Sequence, residues 1–125
     1  MKTLLTAAAL CLVSVTAALA ADPVEGTWRS EANDEGAYIE VSIAECGPAI
    51  CGTITNVVGG DTSIAGKPII WDMKANGNGK YRKGRIWAPD EDKTYRSKMD
   101  LSGNALKVSG CVGPICRGQT WMRVQ

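Results

Sequence analysis

The residues in this chain with the most distinctive chemistry are four cysteines, placed in two hexapeptides of similar design. Cys46 and Cys51 flank the first, Cys-Gly-Pro-Ala-Ile-Cys, and Cys111 and Cys116 flank the second, Cys-Val-Gly-Pro-Ile-Cys. Four cysteines can bind zinc, carry thiol redox chemistry or form disulfides. Each pair is separated by four residues and the chain has no histidine. This spacing and composition favour disulfides over a metal site.

Each hexapeptide predicts the tip of a hairpin, because a Gly-Pro pair supplies the backbone conformations that reverse the chain. Local pairing, Cys46 with Cys51 and Cys111 with Cys116, is favoured because a tight turn already brings both Cβ atoms within disulfide distance. A local bridge would contribute about 2 kcal/mol, and a crossed bridge closing about sixty residues would contribute about 4 kcal/mol. The energies do not choose between the pairings, so crossed pairing stays open.

The first twenty residues have the pattern of a secretory signal peptide, because Lys2 is followed by an apolar run that ends in Ala-Leu-Ala. We divide the chain into a signal peptide at 1–20 and a single β-barrel domain at 21–125, and we expect a periplasmic or secreted protein. Cleavage removes Cys11 and leaves an even set of cysteines for an oxidising compartment. The apolar run is short for a membrane span, so we expect no transmembrane segment in the mature chain.

The charges of the mature chain balance. The whole chain has 14 Lys and Arg against 13 Asp and Glu, and loss of Lys2 leaves a formal net charge of zero. General attraction to nucleic acid or to an anionic membrane needs a basic excess, so neither is a predicted partner. A chain of about a hundred residues forms one domain with a modest core, which disulfides can supplement. We expect a monomer.

The residue set offers little for catalysis. Without histidine and with oxidised cysteines, the usual general base and the strongest nucleophile are missing. Asp90, Glu91 and Asp92 are adjacent carboxylates, but consecutive turn residues point apart into solvent, whereas a glycosidase acid needs burial. A calcium loop starting at Asp72 would have Lys83 where a bidentate glutamate belongs. We therefore predict no enzyme activity, no cofactor and no metal, with a hydrolase as the third-ranked function.

The mature chain predicts an all-β fold. Turn signals recur at short intervals, and the intervening segments have strand length and are rich in Ile, Val, Thr, Tyr and Trp. Residues 37–43, 95–101 and 106–109 alternate apolar and polar side chains, as strands with one buried face do. Residues 68–71 fit either a strand or a short helical turn. Such a meander closes most simply into a small antiparallel up-and-down β-barrel of about seven or eight strands with two hairpin disulfides.

Motifs at the two ends of the domain resemble those of the lipocalin-like (calycin) barrels. Gly26-Thr27-Trp28 stands on the first predicted strand and Trp121-Met122-Arg123 on the last. In those barrels the arginine packs over the tryptophan at the closed end, where its guanidinium stacks on the indole and its donors reach backbone carbonyls. The resemblance implies a lipocalin-like fold and structural roles for Gly26, Trp28, Trp121 and Arg123.

More of the chain is similar to the domain-of-unknown-function family 2147, a family of small exported bacterial β proteins. The similar segments are residues 26–28, 51–54, 84–86 with Pro89, 93–95 and 119–124. In the central hairpin this chain has Trp87, Ala88 and Asp92 where the family pattern has Tyr, Asp and Gly. The family implies export and a barrel-like fold. It implies no activity, so no catalytic residue is carried over.

Four residues are candidate ligand contacts. Trp71 and Trp87 stand close to predicted loops, where tryptophan often lines a pocket or a contact surface. The cations around Tyr81 predict either a solvated strand edge or a site for an anionic group. Depending on the register, either Gly84 and Ile86 or Arg85 with Tyr81 and Trp87 face the barrel interior. The candidate ligand-binding set is Trp71, Trp87, Arg85 and Tyr81.

We predict an exported binding protein of the cell envelope, with a small amphipathic ligand at the open end of the barrel. The alternative is a protein–protein interaction or inhibitor module, whose partner is an envelope protein and whose stapled loops lose little entropy on binding. An interior cavity with Trp71 or Trp87 on its wall would favour the ligand. A packed interior would favour the interaction module, provided that one edge exposed Pro48, Ile50, Pro114 and Ile115.

Overall fold

The structure, a computed structural model, describes residues 21–124, so the predicted signal peptide at 1–20 lies outside the described residues. Along residues 21–124, eight strands follow one another, with one short 3-10 turn (Thr62–Ile64) between the third and fourth. The strands are β1 (Gly26–Arg29), β2 (Tyr38–Cys46), β3 (Ala49–Val58), β4 (Pro68–Ala75), β5 (Lys80–Ala88), β6 (Lys93–Ser102), β7 (Ala105–Val112) and β8 (Ile115–Arg123). Within residues 21–124, no helix is long and apolar enough to cross a membrane.

Each strand pairs antiparallel with the next, and β8 pairs with β1 to close the barrel. The predicted all-β up-and-down barrel is therefore confirmed, and the segment at 68–71 belongs to a strand. Both disulfides are local, Cys46 with Cys51 and Cys111 with Cys116. The closure between β8 and β1 is short, since only Arg123 and Met122 have partners in β1. The earlier part of β8, from Ile115 to Trp121, therefore has no strand partner in β1.

The strand turns alternate between two ends of the barrel because every strand reverses direction. The loops at 30–37, 59–67, 89–92 and 113–114 lie at one end, called here the open end. The turns at 47–48, 76–79 and 103–104 lie at the other, with the segment 21–25 across them, and this is called the closed end. The two disulfide-stapled turns consequently lie at opposite ends.

The core follows the alternation of the strands, with Val41 and Ile43 of β2 almost fully buried. Gly84 of β5 is buried against Met73, since a Cβ there would lie 2.5 Å from Met73 Cε. A register shift separates Tyr81 from Gly84, and Lys83 between them has φ 62. This bulge puts both Tyr81 and Gly84 inside and leaves Arg85 exposed. The register with Gly84 and Ile86 inward is the one that forms.

Candidate functional site

The closed end is organised by Arg123 and Trp28. The Arg123 guanidinium lies 4.3 Å from the centroid of the buried Trp28 ring. It donates to the carbonyl oxygens of Glu25 at 2.8 Å and Pro23 at 2.7 Å, and its Nε donates to Asn104 Oδ1 at 3.2 Å. Two interactions of Arg123 therefore close the barrel at this end. Its guanidinium stacks on the Trp28 ring, and its hydrogen bonds hold the carbonyls of Pro23 and Glu25 against the barrel.

Tyr81 belongs to the same closed end. Its hydroxyl donates to Asp22 Oδ1 at 2.5 Å, and its side chain is 3% exposed. The indole N–H of Trp28 donates to the Val24 carbonyl at 2.9 Å, so residues 22–25 are tied to the barrel at several points. Burial, followed by the hydrogen bond to Asp22, raises the pKa of Tyr81 well above its usual value.

The open end leads into a cavity of about 920 Å³. Trp121 lies deep in its wall, 2% exposed, with its indole N–H donating to Gln119 Oε1 at 2.8 Å. About half of the remaining lining residues are aliphatic. The apolar lining includes Ile39, Val57, Ile64, Ile69, Ile86 and Val108. An apolar cavity with a few polar groups is the usual form of a small-molecule site.

The rim of this cavity carries aromatic side chains held by acidic loop residues. Trp87 Nε1 donates to Asp92 Oδ1 at 2.9 Å, and Lys67 Nζ lies 5.6 Å from the centroid of the Trp87 ring. The Tyr95 hydroxyl donates to Glu91 Oε2, and this bond raises the pKa of Tyr95. The carboxylates of the loop at 89–92 thus position two aromatic rings at the mouth of the cavity.

Among the described residues that line the cavity, Arg117 is the one cationic side chain. It lies on β8 between Ile115 and Gln119, and all three line the cavity because alternate residues share a face of a strand. Arg82–Asp100 is the ion pair found among residues 21–124, so no described carboxylate neutralises Arg117. Arg117 is not among the ligand contacts predicted from the sequence, although its alternation with Gln119 and Trp121 is visible there.

The structure does not bring the four candidate ligand contacts together. Trp87 is at the cavity mouth and Tyr81 is at the closed end. Trp71 and Arg85 are cross-strand partners on the outer wall. The reason is the bulge at Lys83, which places Tyr81 inside near the closed end while Arg85 faces outward. A ligand in the cavity would therefore contact only Trp87 of the four.

The described part of the chain contains no group of three or more His, Cys, Asp or Glu residues that could hold a metal ion. Four carboxylates line the cavity. They are Glu31, Asp61, Asp90 and Glu91. Three of them already accept hydrogen bonds: Glu31 from the backbone N–H of Thr120, Asp61 from that of Ser63, and Glu91 from the Tyr95 hydroxyl. These carboxylates order the rim.

Comparisons with known proteins agree with this geometry. The solved structure of HP1028, a lipocalin-family protein from the human pathogen Helicobacter pylori, is similar with a TM-score of 0.67 and 15% sequence identity. The match covers 81% of this chain and 82% of that one, and it shows the fold. No curated protein sequence matches this chain. The model of the family described as "Uncharacterized protein conserved in bacteria (DUF2147)" matches residues 26–123. The chain therefore belongs to this DUF2147 family, and its fold is a lipocalin-like barrel.

Proposed function

We propose that the protein binds a small amphipathic molecule in the open-end cavity and acts without catalysis. The observation that carries this proposal is the cavity of about 920 Å³ with a largely apolar wall and one unneutralised cation, Arg117. Small-molecule sites typically have about 300–1,000 Å³ and a few polar groups that orient the ligand. The cavity therefore has the size and composition for a ligand with an apolar body and an anionic head.

The proposed ligand is a monoanion. Arg117 offers planar guanidinium donors that match a carboxylate, and its charge is best satisfied by a single anionic group. The apolar body of the ligand would lie against the aliphatic wall and Trp121, with Trp87 at the mouth. The four carboxylates of the lining disfavour ligands with several negative charges.

The interaction module receives less support. The two stapled turns lie at opposite ends of the barrel, so they do not form one edge. Ile50 is 4% exposed, whereas Ile115 is 68% exposed. A shared presenting surface would have needed both hexapeptides on the same side. The hydrolase receives no support from the cavity, where the acidic residues hold loops.

We also propose that the protein is exported to the periplasm or secreted. Two disulfides in a small domain support this, because such bridges persist in oxidising compartments. Alkylation of unfolded protein from separated cell fractions tests it. Cysteines blocked by oxidation in the extracytoplasmic fraction are expected, and a reduced protein in the cytoplasmic fraction would contradict the proposal.

Titration with a matched pair of probes tests ligand binding. A fluorescent long-chain fatty acid and the corresponding alcohol differ only in the anionic head. Arg117 is exposed, so a net contribution of about 1 kcal/mol applies, and Arg117→Gln should weaken fatty acid binding about fivefold and leave the alcohol unchanged. Lys107→Gln is the control, because Lys107 is an exposed cation outside the cavity lining, and this variant should bind both probes as the unaltered protein does.

Two results would contradict the proposed function. If neither probe bound saturably, the cavity would not be a binding site for apolar ligands. If Arg117→Gln and the unaltered protein had equal affinities for the fatty acid, Arg117 would not be the partner of the anionic head.

A further inference from the structure

A second concave feature lies outside the barrel, apart from the cavity. It is a groove of about 670 Å³ between the outer wall of β5 and β6 and the stapled turn of β7 and β8. Of the lining residues that the structure describes, five are cationic and none is acidic. The cations are Arg82, Lys83, Arg85, Arg96 and Lys98. The cavity lining has the opposite balance, with four carboxylates and one arginine. Although the chain has almost no net charge, its fold places cations in the groove and carboxylates around the cavity.

The centre of this groove holds two arginines in direct opposition. Arg85 of β5 and Arg96 of β6 are register partners, and both are exposed. Directly opposed like charges destabilise a sheet. Within residues 21–124, the one ion pair joins Arg82 to Asp100 at 3.0 Å. Arg85 and Arg96 therefore have no carboxylate partner among these residues. An anionic group bound between them would convert this repulsion into attraction.

The groove is also held in shape. Arg96 Nη2 donates to the Gly113 carbonyl oxygen at 2.6 Å, which ties the cation to the turn of the β7–β8 hairpin. The Cys111–Cys116 disulfide closes that hairpin, and Cys111 is the register partner of Arg96 on β7. A fixed side-chain position reduces the entropy lost when a ligand binds.

We propose that this groove docks the barrel onto a membrane surface by binding the phosphate groups of anionic phospholipids. Trp71 points to a membrane as the source of the anion, because it is half-buried and is the register partner of Arg85 on the same outer face. Tryptophan is enriched at the level of lipid headgroups, and basic clusters bind anionic headgroups. The docking surface consists of Trp71, Arg85, Arg96, Lys83 and Lys98.

The proposal concerns a site separate from the cavity, so it can fail without affecting the proposed function. The acidic lining of the cavity makes the barrel mouth a poor docking surface for an anionic bilayer. The barrel would thus contact the bilayer with its side wall, and its mouth would stay open to the solvent. Because the attraction is local and exposed, binding should weaken steeply with salt.

Cosedimentation with lipid vesicles tests the docking surface. The protein is purified from an exporting host, with its N-terminus established by mass spectrometry, and mixed with vesicles of phosphatidylcholine alone or with phosphatidylglycerol. The unaltered protein should bind only the anionic vesicles. Each surface cation changes such binding about fivefold, so Arg85→Gln with Arg96→Gln should bind about 30-fold more weakly.

Two controls distinguish an effect of the groove on vesicle binding from an effect of net charge and from an effect of the cavity. Lys80→Gln with Lys107→Gln removes the same charge outside the groove and should keep most of the binding. Arg117→Gln removes a cavity cation and should bind vesicles as the unaltered protein does. Thermal unfolding of each variant shows that the barrel is intact, and Arg85→Lys with Arg96→Lys should restore most of the affinity if the double Gln variant is unstable.

Four outcomes would overturn the proposal. Equal losses in the groove variant and its charge-matched control would show that net charge alone acts. Equal binding to neutral vesicles would exclude headgroup recognition. Full displacement by millimolar inorganic phosphate would assign the groove to a free anion. Self-association that disappears in the groove variant, without vesicle binding by the unaltered protein, would assign it to the acidic rim of a second copy.

Discussion

Replacement of Arg123 by alanine removes the interactions that close the barrel at the end opposite the cavity. The guanidinium stacks on Trp28 at 4.3 Å and makes hydrogen bonds to the carbonyls of Pro23 and Glu25 and to the side chain of Asn104. Val24, between the two carbonyls, is fully buried. Loss of Arg123 therefore removes contacts that join β8 to β1 and to residues 23–25 before β1.

The expected loss is about 3 kcal/mol of unfolding free energy. A cation over a partly desolvated ring contributes about 0.5–2 kcal/mol, and a typical hydrogen bond contributes about 1 kcal/mol net. The bonds to Pro23 and Asn104 are exposed and contribute less than this value, which brings the sum of the three bonds and the stacked cation to about 3 kcal/mol. For a domain of about a hundred residues, 1 kcal/mol lowers Tm by about 4–8 °C, so Tm should fall by about 12–24 °C.

Urea unfolding followed by tryptophan fluorescence measures this loss, with calorimetry for Tm. Arg117→Ala is a matched control on the same strand and should change the unfolding free energy by less than about 0.5 kcal/mol, since it makes no described ion pair. Arg123→Lys should lie between the two, because lysine keeps the charge without the planar fork. Equal losses for Arg123→Ala and Arg117→Ala would refute this account of the closed end.

Three further predictions concern the turns, the alkaline limit and the disulfides. Gly79→Ala should cost about 2 kcal/mol more than Gly77→Ala in urea unfolding, because both have positive φ but only a Cβ at Gly79 meets a backbone oxygen, at 2.7 Å. Tyr81 keeps its proton in the folded state above pH 10, where an unfolded tyrosine loses it, so its contribution to stability should fall as pH rises beyond 10. The stability difference between the protein and Tyr81→Phe, measured from pH 8 to 11, should shrink; a constant difference would contradict this. Cys111→Ser with Cys116→Ser should lower the unfolding free energy by about 2 kcal/mol, and an unchanged urea midpoint would contradict the entropic account.

The sequence was sufficient for the architecture because the determinants are local. Alternating strands such as β2 and the Gly-Pro turns between paired cysteines encode hairpins, and a meander of eight hairpin-linked strands has few ways to close. The Gly26 and Arg123 motifs added the family resemblance, which the family match and the solved structure support. Each of these signals lies within a few neighbouring residues.

The ligand contacts could not be predicted in the same way because they depend on register. A single residue in a left-handed conformation, Lys83 at φ 62, decides that Arg85 faces outward and Tyr81 inward. Such bulges have no clear sequence signal when the residue is not glycine. Arg117 was recoverable from its spacing to Trp121, but only after the inward face of β8 was known.

The distribution of charge over the surface is a second feature that could not be predicted from the sequence. The nearly balanced composition excluded general attraction to membranes or nucleic acid, yet the fold collects cations from β5 and β6 into one groove and carboxylates around the cavity. Arg85 and Arg96 stand eleven positions apart in the sequence and become neighbours only through strand pairing. Net charge describes the whole chain, whereas binding depends on the local surface.

The central claim, that the open-end cavity is a ligand site, is tested most directly by filling it. Gly110 lines the cavity, and a Cβ there would have ordinary contacts with Ile86 and Tyr95 at 3.5 and 3.6 Å, so Gly110→Phe should place a ring in the ligand volume. The measurement is a fluorescence titration of this variant and of the unaltered protein with the fatty acid probe, with Tm as a check on folding. The account predicts saturable binding to the unaltered protein and at least a tenfold loss in the folded variant. Equal affinities for the two proteins would contradict it.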